Sequence, residues 1–396
     1  MLRDGRLTRT TASTAAASVA RAMWARSCAS GEDWERYIRP LLYTRASKAG
    51  NLEVLNWLRA EGCPWDARAC AGAAHGGHLE VLHWLRAEGC PWDEWSCAYA
   101  AQGGHLEVLR WLRAEGCEWN AWACTRAARD GDLRMLKWLR AERCPWDARA
   151  CTYAALGGHL EALKWLRDEG CLWEDYRVWA YAALGGHLEV LKWLQAQECP
   201  WDESAYAFAA EGGHLEVLRW LRAEGCLWDG RACALAAQEG HLEVLKWLRG
   251  GGCPWDESAC AFAALGGHLK SLKWLRDEGC PWEDYHVWAY AALGGNLEVL
   301  KWLRVEAYPW DESACAFAAL GGHLEVVKWL RAEGGPWDEW VFACAAHGGH
   351  LEVLRWLWAE GCPWDARAWE NAAEEEHLEV INFLRTNGCP ERAALE

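Results

Sequence analysis

The sequence is poor in several things that would each have pointed to a different protein. Isoleucine occurs only as Ile38 and Ile381, Phe five times and Met three times in 396 residues. Strands favour β-branched and aromatic side chains, so this scarcity of isoleucine argues against a large sheet core. No run of about 18 apolar residues is present, which excludes a membrane-spanning helix of the usual length. Positive charge is also short: 41 Lys and Arg stand against 57 Asp and Glu, a net of −16. A chain so acidic lacks the basic surface that grips a phosphate backbone, and no nucleic-acid partner is expected. HExxH, the P-loop, GxSxG and CxxC are all missing, so no enzyme, no metal and no cofactor are expected. Without an apolar secretory leader, the 20 Cys do not read as the disulfide framework of a small secreted domain. The 52% of hydrophobic residues excludes wholesale disorder.

What is abundant is Trp, 33 residues, and Gly, 38. The Trp of LEVLKWLR-like segments recurs as Trp57, Trp84, Trp111, Trp138, Trp165, Trp193, Trp220, Trp247, Trp274, Trp302, Trp329 and Trp356, with Phe383 closing the series. The step is 27 residues, except for Trp165 to Trp193 and Trp274 to Trp302, where it is 28. A fixed period of this size marks a repeat array rather than separate domains. Thirteen copies are expected across 33–390, with 1–32 and 391–396 as tails.

Each copy reads as two short helices. In the one from Cys63 to Gly89, Asp66 is an N-cap for an alanine-rich helix that Gly76-Gly77 breaks. His78 stands where the cap of the second helix belongs, a place held elsewhere by Asn51, Asp132 and Asn296. Gly89 ends that second helix as a left-handed C′ residue. Leu79, Val81, Leu82, Trp84 and Leu85 cover most of the second helix, which must therefore be buried by its partner and by both neighbouring copies. Such a unit cannot stand alone, and the expected fold is an all-α solenoid.

The segment CAYAA followed by GGHLEVLRWLRAEGC resembles the ankyrin repeat, whose helix pair carries an AA-x-x-GH-LEVV-x-x-LL-x-x-GA pattern. The match recurs in nearly every copy. Ankyrin units typically run to about 33 residues, and the missing six fall between the second helix of one copy and the first helix of the next. A short turn is therefore expected in place of the family's β-hairpin finger. The resemblance implies a non-catalytic protein-binding scaffold.

Cys, His and Trp would suggest chemistry if they were not periodic. Eleven cysteines follow the second-helix glycine, as Cys90 does, and seven more sit on the first helix, as Cys70 does. The first-helix slot exchanges Cys for Trp179, Tyr206, Trp288, Phe342 and Trp369, so it is a hydrophobic slot. Equivalent cysteines in adjacent copies should lie about 8–10 Å apart, the helix packing distance, too far for a disulfide. Ten of the fourteen histidines occupy the GHL position. One per copy spaces them too widely for a zinc ion, and replacement by Asn and Asp points to capping. The turn tryptophans and those of the second helix are expected to form two stacked aromatic ladders.

Two slots vary while their surroundings do not. The residue after each Ala-Ala pair is polar in most copies, hence expected to face water, yet it is leucine at Leu156, Leu184, Leu265, Leu293 and Leu320. These five read as an exposed apolar stripe that a partner would cover. At the start of the first helix stand Trp95, Trp122, Arg149, Arg231 and Trp340, residue types that dominate interface energetics. The expected partner is a protein, bound by a monomeric scaffold along the first-helix face. Alternatives are an adaptor recruiting substrates to an enzyme complex such as a ubiquitin ligase, with its docking module in 1–45, and a thiol-rich redox or metal buffer. Residues 1–30 carry five Arg, one Asp and many Ser and Thr, which suits a disordered basic tail or an organellar transit peptide. The expected location is cytoplasmic, or an organelle if that leader is a transit peptide.

Overall fold

A computed structural model describes residues 39–172, 177–200, 202–281, 287–309, 311–335 and 337–389. The two tails, with the transit-peptide reading, lie outside the described residues. So does most of the segment expected to hold an adaptor's docking module. Every described element is a helix, 26 in all, and no strand occurs among the described residues. They alternate as pairs: α1 (Arg39–Lys48) with α2 (Leu52–Ala60), α3 (Ala67–Gly76) with α4 (Leu79–Ala87), and so on to α26 (Leu378–Thr386). The 26 helices make 26/2 = 13 pairs, the number of copies expected from the period.

The chain divides into two compact units, Met1–Pro200 and Trp201–Glu396. In the first, α1, α3 and the first helices that follow pack successively on one another. In the second, the same stacking runs from the first helix Ser204–Glu211 to Ala366–Glu374. Each unit is a short helical solenoid.

Local chemistry sets the helix ends. Asp66 adopts an extended backbone and its Oδ1 accepts from the Arg68 amide at 2.9 Å, capping α3. Asp93, Asp229, Asp338 and Asp365 do the same for their helices. At the end of α4, Gly89 sits at φ 79°, the Cys90 amide donates to the Leu85 carbonyl at 2.8 Å, and the Gly89 amide donates to Arg86 at 3.0 Å. This pair of bonds is a Schellman stop. The connection that follows is only Cys90-Pro91-Trp92-Asp93. No hairpin finger forms there, as the short period requires.

The cysteine ending the second helix closes its own repeat. Cys117 Sγ donates to the Asp93 carbonyl at 3.3 Å, and Cys90, Cys171, Cys253, Cys280 and Cys362 make the corresponding bond 24 residues back. A small apolar side chain with a weak donor suits a buried carbonyl.

Two expectations need correction. The histidines stand at the N-cap but cap nothing with their side chains. Asn51 and Asp132 do accept from Val54 and Met135 amides. His105 Nε2 instead bonds to the His75 carbonyl at 3.1 Å, and His187, His323 and His350 bond to the carbonyls of Leu156, Leu293 and Leu320 at 2.9 Å. Asn296 follows the histidines: its Nδ2 donates to Leu265 O at 2.7 Å. An imidazole is too long to fold back on its own helix, and it reaches the last carbonyl of the preceding first helix instead.

The aromatic ladders also differ from expectation. Among the described residues the two Trp columns do not stack separately but meet one another, mostly edge to face, as in Trp92–Trp111 (5.8 Å, 75°) and Trp228–Trp247 (6.1 Å, 77°). The arginine of the preceding second helix covers the turn Trp: Arg86 lies 3.8 Å from the Trp92 centroid, and Arg222 3.8 Å from that of Trp228. Perpendicular rings suit the aromatic quadrupole, and the exposed π-face is left for a cation.

The last pair is the least covered. Its first helix buries only Ala368 and Ala372, and Glu374, Glu375 and Glu376 are exposed. A polar outer face is what a terminal repeat requires.

Candidate functional site

The first helices carry three slots at helical spacing, one turn apart on one face. Arg149, Tyr153 and Leu156 form one such row; Trp95, Tyr99 and Gln102 form another, and Trp122, Arg126 and Arg129 a third. In unit 2 the corresponding rows include Ser258, Phe262, Leu265 and Ser313, Phe317, Leu320. The middle slot went unnoticed in the sequence because it sits between alanines of an otherwise apolar helix. Its signal was there: an aromatic residue in most copies, four residues after one variable slot and three before the other.

In the first unit these rows merge into a strip. Trp95 lies 5.8 Å from Trp122 and 6.2 Å from Tyr99, Trp122 lies 6.0 Å from Tyr153, and Tyr153 lies 5.9 Å from Tyr181. Two cations are set into it. The Arg149 guanidinium is 4.5 Å from the Trp122 centroid, and that of Arg126 is 5.5 Å from Tyr99 and 5.6 Å from Trp122. Arg126 Nη1 donates to Gln102 Oε1 at 3.1 Å, while its Nε is buried with no acceptor among the described residues. A hollow of about 280 Å³ opens here, lined by Arg68, Ala71, Asp93, Trp95, Tyr99 and Arg126. Burial pushes the Asp93 carboxyl above its ordinary value.

The residues singled out from the sequence fare differently. Trp95, Trp122 and Arg149 come together in the strip. Arg149 is also held by Asp147, Nη2 to Oδ2 at 2.6 Å, which pulls the Asp147 carboxyl below its ordinary value. Arg231 is tied to Asp229 at 2.5 Å and reaches Glu203 at 3.8 Å. The aspartate two residues earlier thus claims each arginine, and neither guanidinium is uncommitted. Trp340 is 40% exposed, edge-on to Phe317 at 6.0 Å. Leu156, Leu184, Leu265, Leu293 and Leu320 are half-buried rather than open to water. They lie in the last helical turn, where the neighbouring first helices cover their flanks, so the stripe is shallower than expected.

Among the described residues no group of three or more His, Cys, Asp or Glu could hold a metal ion. No described helix is long and apolar enough to cross a membrane.

The family model described as ankyrin repeats (3 copies) matches residues 179–254, and that described as ankyrin repeats (many copies) matches 97–140 and 124–167. No curated protein matches the chain. Among solved structures, the human ASB11 ankyrin repeat domain is 20% identical with a TM-score of 0.32, over 40% of this chain and 84% of that one. The pentatricopeptide repeat protein PPR10 in complex with an 18-nt psaJ RNA element is 13% identical with a TM-score of 0.33, over 89% of this chain and 64% of that one. PPR10 from maize is 15% identical with a TM-score of 0.33, over 88% and 63%. Ankyrin models match stretches of both units, and helix pairs of the same build recur through the rest of the described residues: the chain carries ankyrin repeats.

Proposed function

We propose that this protein is a non-catalytic scaffold that holds a protein partner along the first-helix face, with the strip from Trp95 to Tyr181 as its anchor. Ankyrin repeats are, in general, protein-interaction modules. The observation that carries the finer reading is the half-exposed run of Trp95, Tyr99, Trp122, Tyr153 and Tyr181 with Arg126 set into it. Large aromatics and arginine supply most of the binding energy at protein interfaces. On the second unit, Leu265, Leu293 and Leu320, with Trp340, would offer a contact of their own. The acidic composition favours a partner of opposite or neutral charge over nucleic acid.

The test is proximity labelling in the native cell with the full chain and its Trp95→Ala/Trp122→Ala variant. Proteins labelled by the first and lost from the second, with helical circular dichroism unchanged, support the reading. An unchanged set of labelled proteins from a folded variant overturns the strip as anchor.

A further inference from the structure

The second helices are near copies of one another, and one of them departs at two neighbouring positions. Their second residue is Glu in every copy except Arg134 and Lys270, and their third is apolar in every copy except Ser271. Elsewhere that glutamate can hold the lysine three residues on, as Glu243 holds Lys246 and Glu325 holds Lys328, both at 2.8 Å. The helix Leu269–Asp277 has no acid in its first turn. Lys270 and Lys273 are exposed one turn apart, and neither makes an ion pair among the described residues.

The same turn has backbone donors to spare. The His268 amide donates to the Ala263 carbonyl at 2.9 Å and that of Leu269 to Gly267 at 3.0 Å, while Leu272 makes the first helical bond, to His268, at 3.0 Å. The amides of Lys270 and Ser271 come before any helical acceptor. Where the cap is Asn51 or Asp132, its side-chain oxygen takes the amide of the third residue, Val54 at 3.1 Å and Met135 at 2.9 Å. His268 makes no such bond. Ser271 is only 2% exposed, and its hydroxyl has no hydrogen-bond partner among the described residues. With His268, Lys270, Lys273 and Glu298 of the following second helix, it lines a hollow of about 520 Å³. A buried hydroxyl, two open amides at a helix N-terminus and two ammonium groups around one hollow are the donors a tetrahedral oxyanion needs.

We propose that the first turn of Leu269–Asp277 is a phosphate-binding site. The Ser271 hydroxyl and the amides of Lys270 and Ser271 donate to the inner oxygens, and the two lysines pair with the outer ones. Two lysines against the one carboxylate of Glu298 suit a single phosphate group, free or carried as a monoester on a peptide serine, rather than a polyphosphate. The copy with Arg134 shows why the signal is not simply a pair of cations. Arg134 and Lys137 occupy the same two positions, but there the Asp132 carboxylate already accepts from the Met135 amide, and Met135 fills the slot that Ser271 leaves short. The chain's own carboxylate thus stands where the phosphate oxygen stands in the His268 copy. In the remaining copies with a histidine before the helix, the second-position acid repels an anion and an apolar third residue offers it no donor. The site shares no residue with the first-helix rows and is independent of the partner-binding reading.

The test is phosphorus NMR of inorganic phosphate, and in a parallel arm of a short end-capped phosphoserine peptide, titrated with the full-length chain at constant ionic strength in chloride. The expected result is line broadening by the parent chain. Lys270→Glu/Ser271→Val restores the residues of the other copies, should keep the fold, and should weaken binding about tenfold or more. Lys270→Arg and Arg134→Glu should each bind as the parent does. Broadening of inorganic phosphate supports the site with a free ligand, and broadening of the peptide alone supports it with a peptide-borne one. A parent chain that broadens neither, or a folded double variant that broadens as the parent does, overturns the proposal. So does loss of binding in Arg134→Glu. If the double variant melts below the parent in chloride, Lys273→Gln takes its place, and binding undiminished in that variant likewise overturns the site.

Discussion

At the residue scale the repeat is held by contacts too tight to vary. The His105 ring is wedged between two glycines: a Cβ on Gly103 would stand 2.5 Å from both the His75 carbonyl oxygen and the His105 ring, and one on Gly77 2.5 Å from the same ring. Gly77 and Gly104 also lie at φ 76° and 72°, where a side chain is strained. Gly103 itself has φ −78°, so its cost is purely one of space. Gly103→Ala is expected to destabilise by about 1–3 kcal/mol, the range for overpacking against a fixed neighbour, read as a lower denaturant midpoint. The GGH triplet was legible as a helix break in the sequence. Why both residues must be glycine was not, because the obstructing groups belong to the repeat before and the repeat after. The reverse case is Ser96, whose hydroxyl is buried without a partner among the described residues, where other copies carry Ala69, Ala123 or Ala150. Ser96→Ala removes an unsatisfied buried group and should stabilise by about 1 kcal/mol. A fall in the midpoint would refute that account.

At the scale of the element, the link between consecutive first helices is electrostatic as well as apolar. His350 donates from Nε2 to the Leu320 carbonyl, and burial holds its pKa below 6.5 even though that bond favours the charged form. His75 is likewise held down by burial. A histidine whose folded value is depressed takes up its proton more readily in the unfolded chain. Stability is therefore full above 6.5 and falls as pH drops below it toward the folded value. The naturally occurring alternative is Asn296, which makes the same inter-repeat bond with a group that does not titrate. His350→Asn should keep stability at neutral pH and lose less of it between pH 7 and pH 5 than the parent does, as thermal melts across that range would show. Equal acid sensitivity in the variant would place the loss elsewhere. Residue order exposed the histidine column, but its role was misassigned, since a capping side chain and a bridging one share the same sequence position.

At the scale of the whole molecule, each pair of helices leans on its immediate neighbours within its unit. Stability is then close to a sum over repeats and the interfaces between them. Excising one complete 27-residue period from the first unit, residues 93–119, joins equivalent points of consecutive repeats. The shortened chain should keep its helical signal in proportion to length, with a cooperative melt. Collapse of the helical circular dichroism would show contacts beyond nearest neighbours. The strip from Trp95 to Tyr181 also belongs to this scale, because no single repeat contains it; the same excision removes Trp95 and Tyr99 and should weaken partner binding while leaving the fold.

Period, helix pairing, cap positions and the missing finger are local matters. They follow from backbone hydrogen bonding and from the alternation of apolar and polar residues over a few turns, and residue order contains both. Contacts made between repeats, or between the start and end of one repeat, depend on how far a side chain reaches once helices are stacked. Stacking turned the histidines from caps into bridges and joined the two Trp columns edge to face. It also half-covered Leu156, Leu184, Leu265, Leu293 and Leu320, and set the Cys117 thiol on the Asp93 carbonyl. None of these meetings is a property of one helix, so only the packed array decides them.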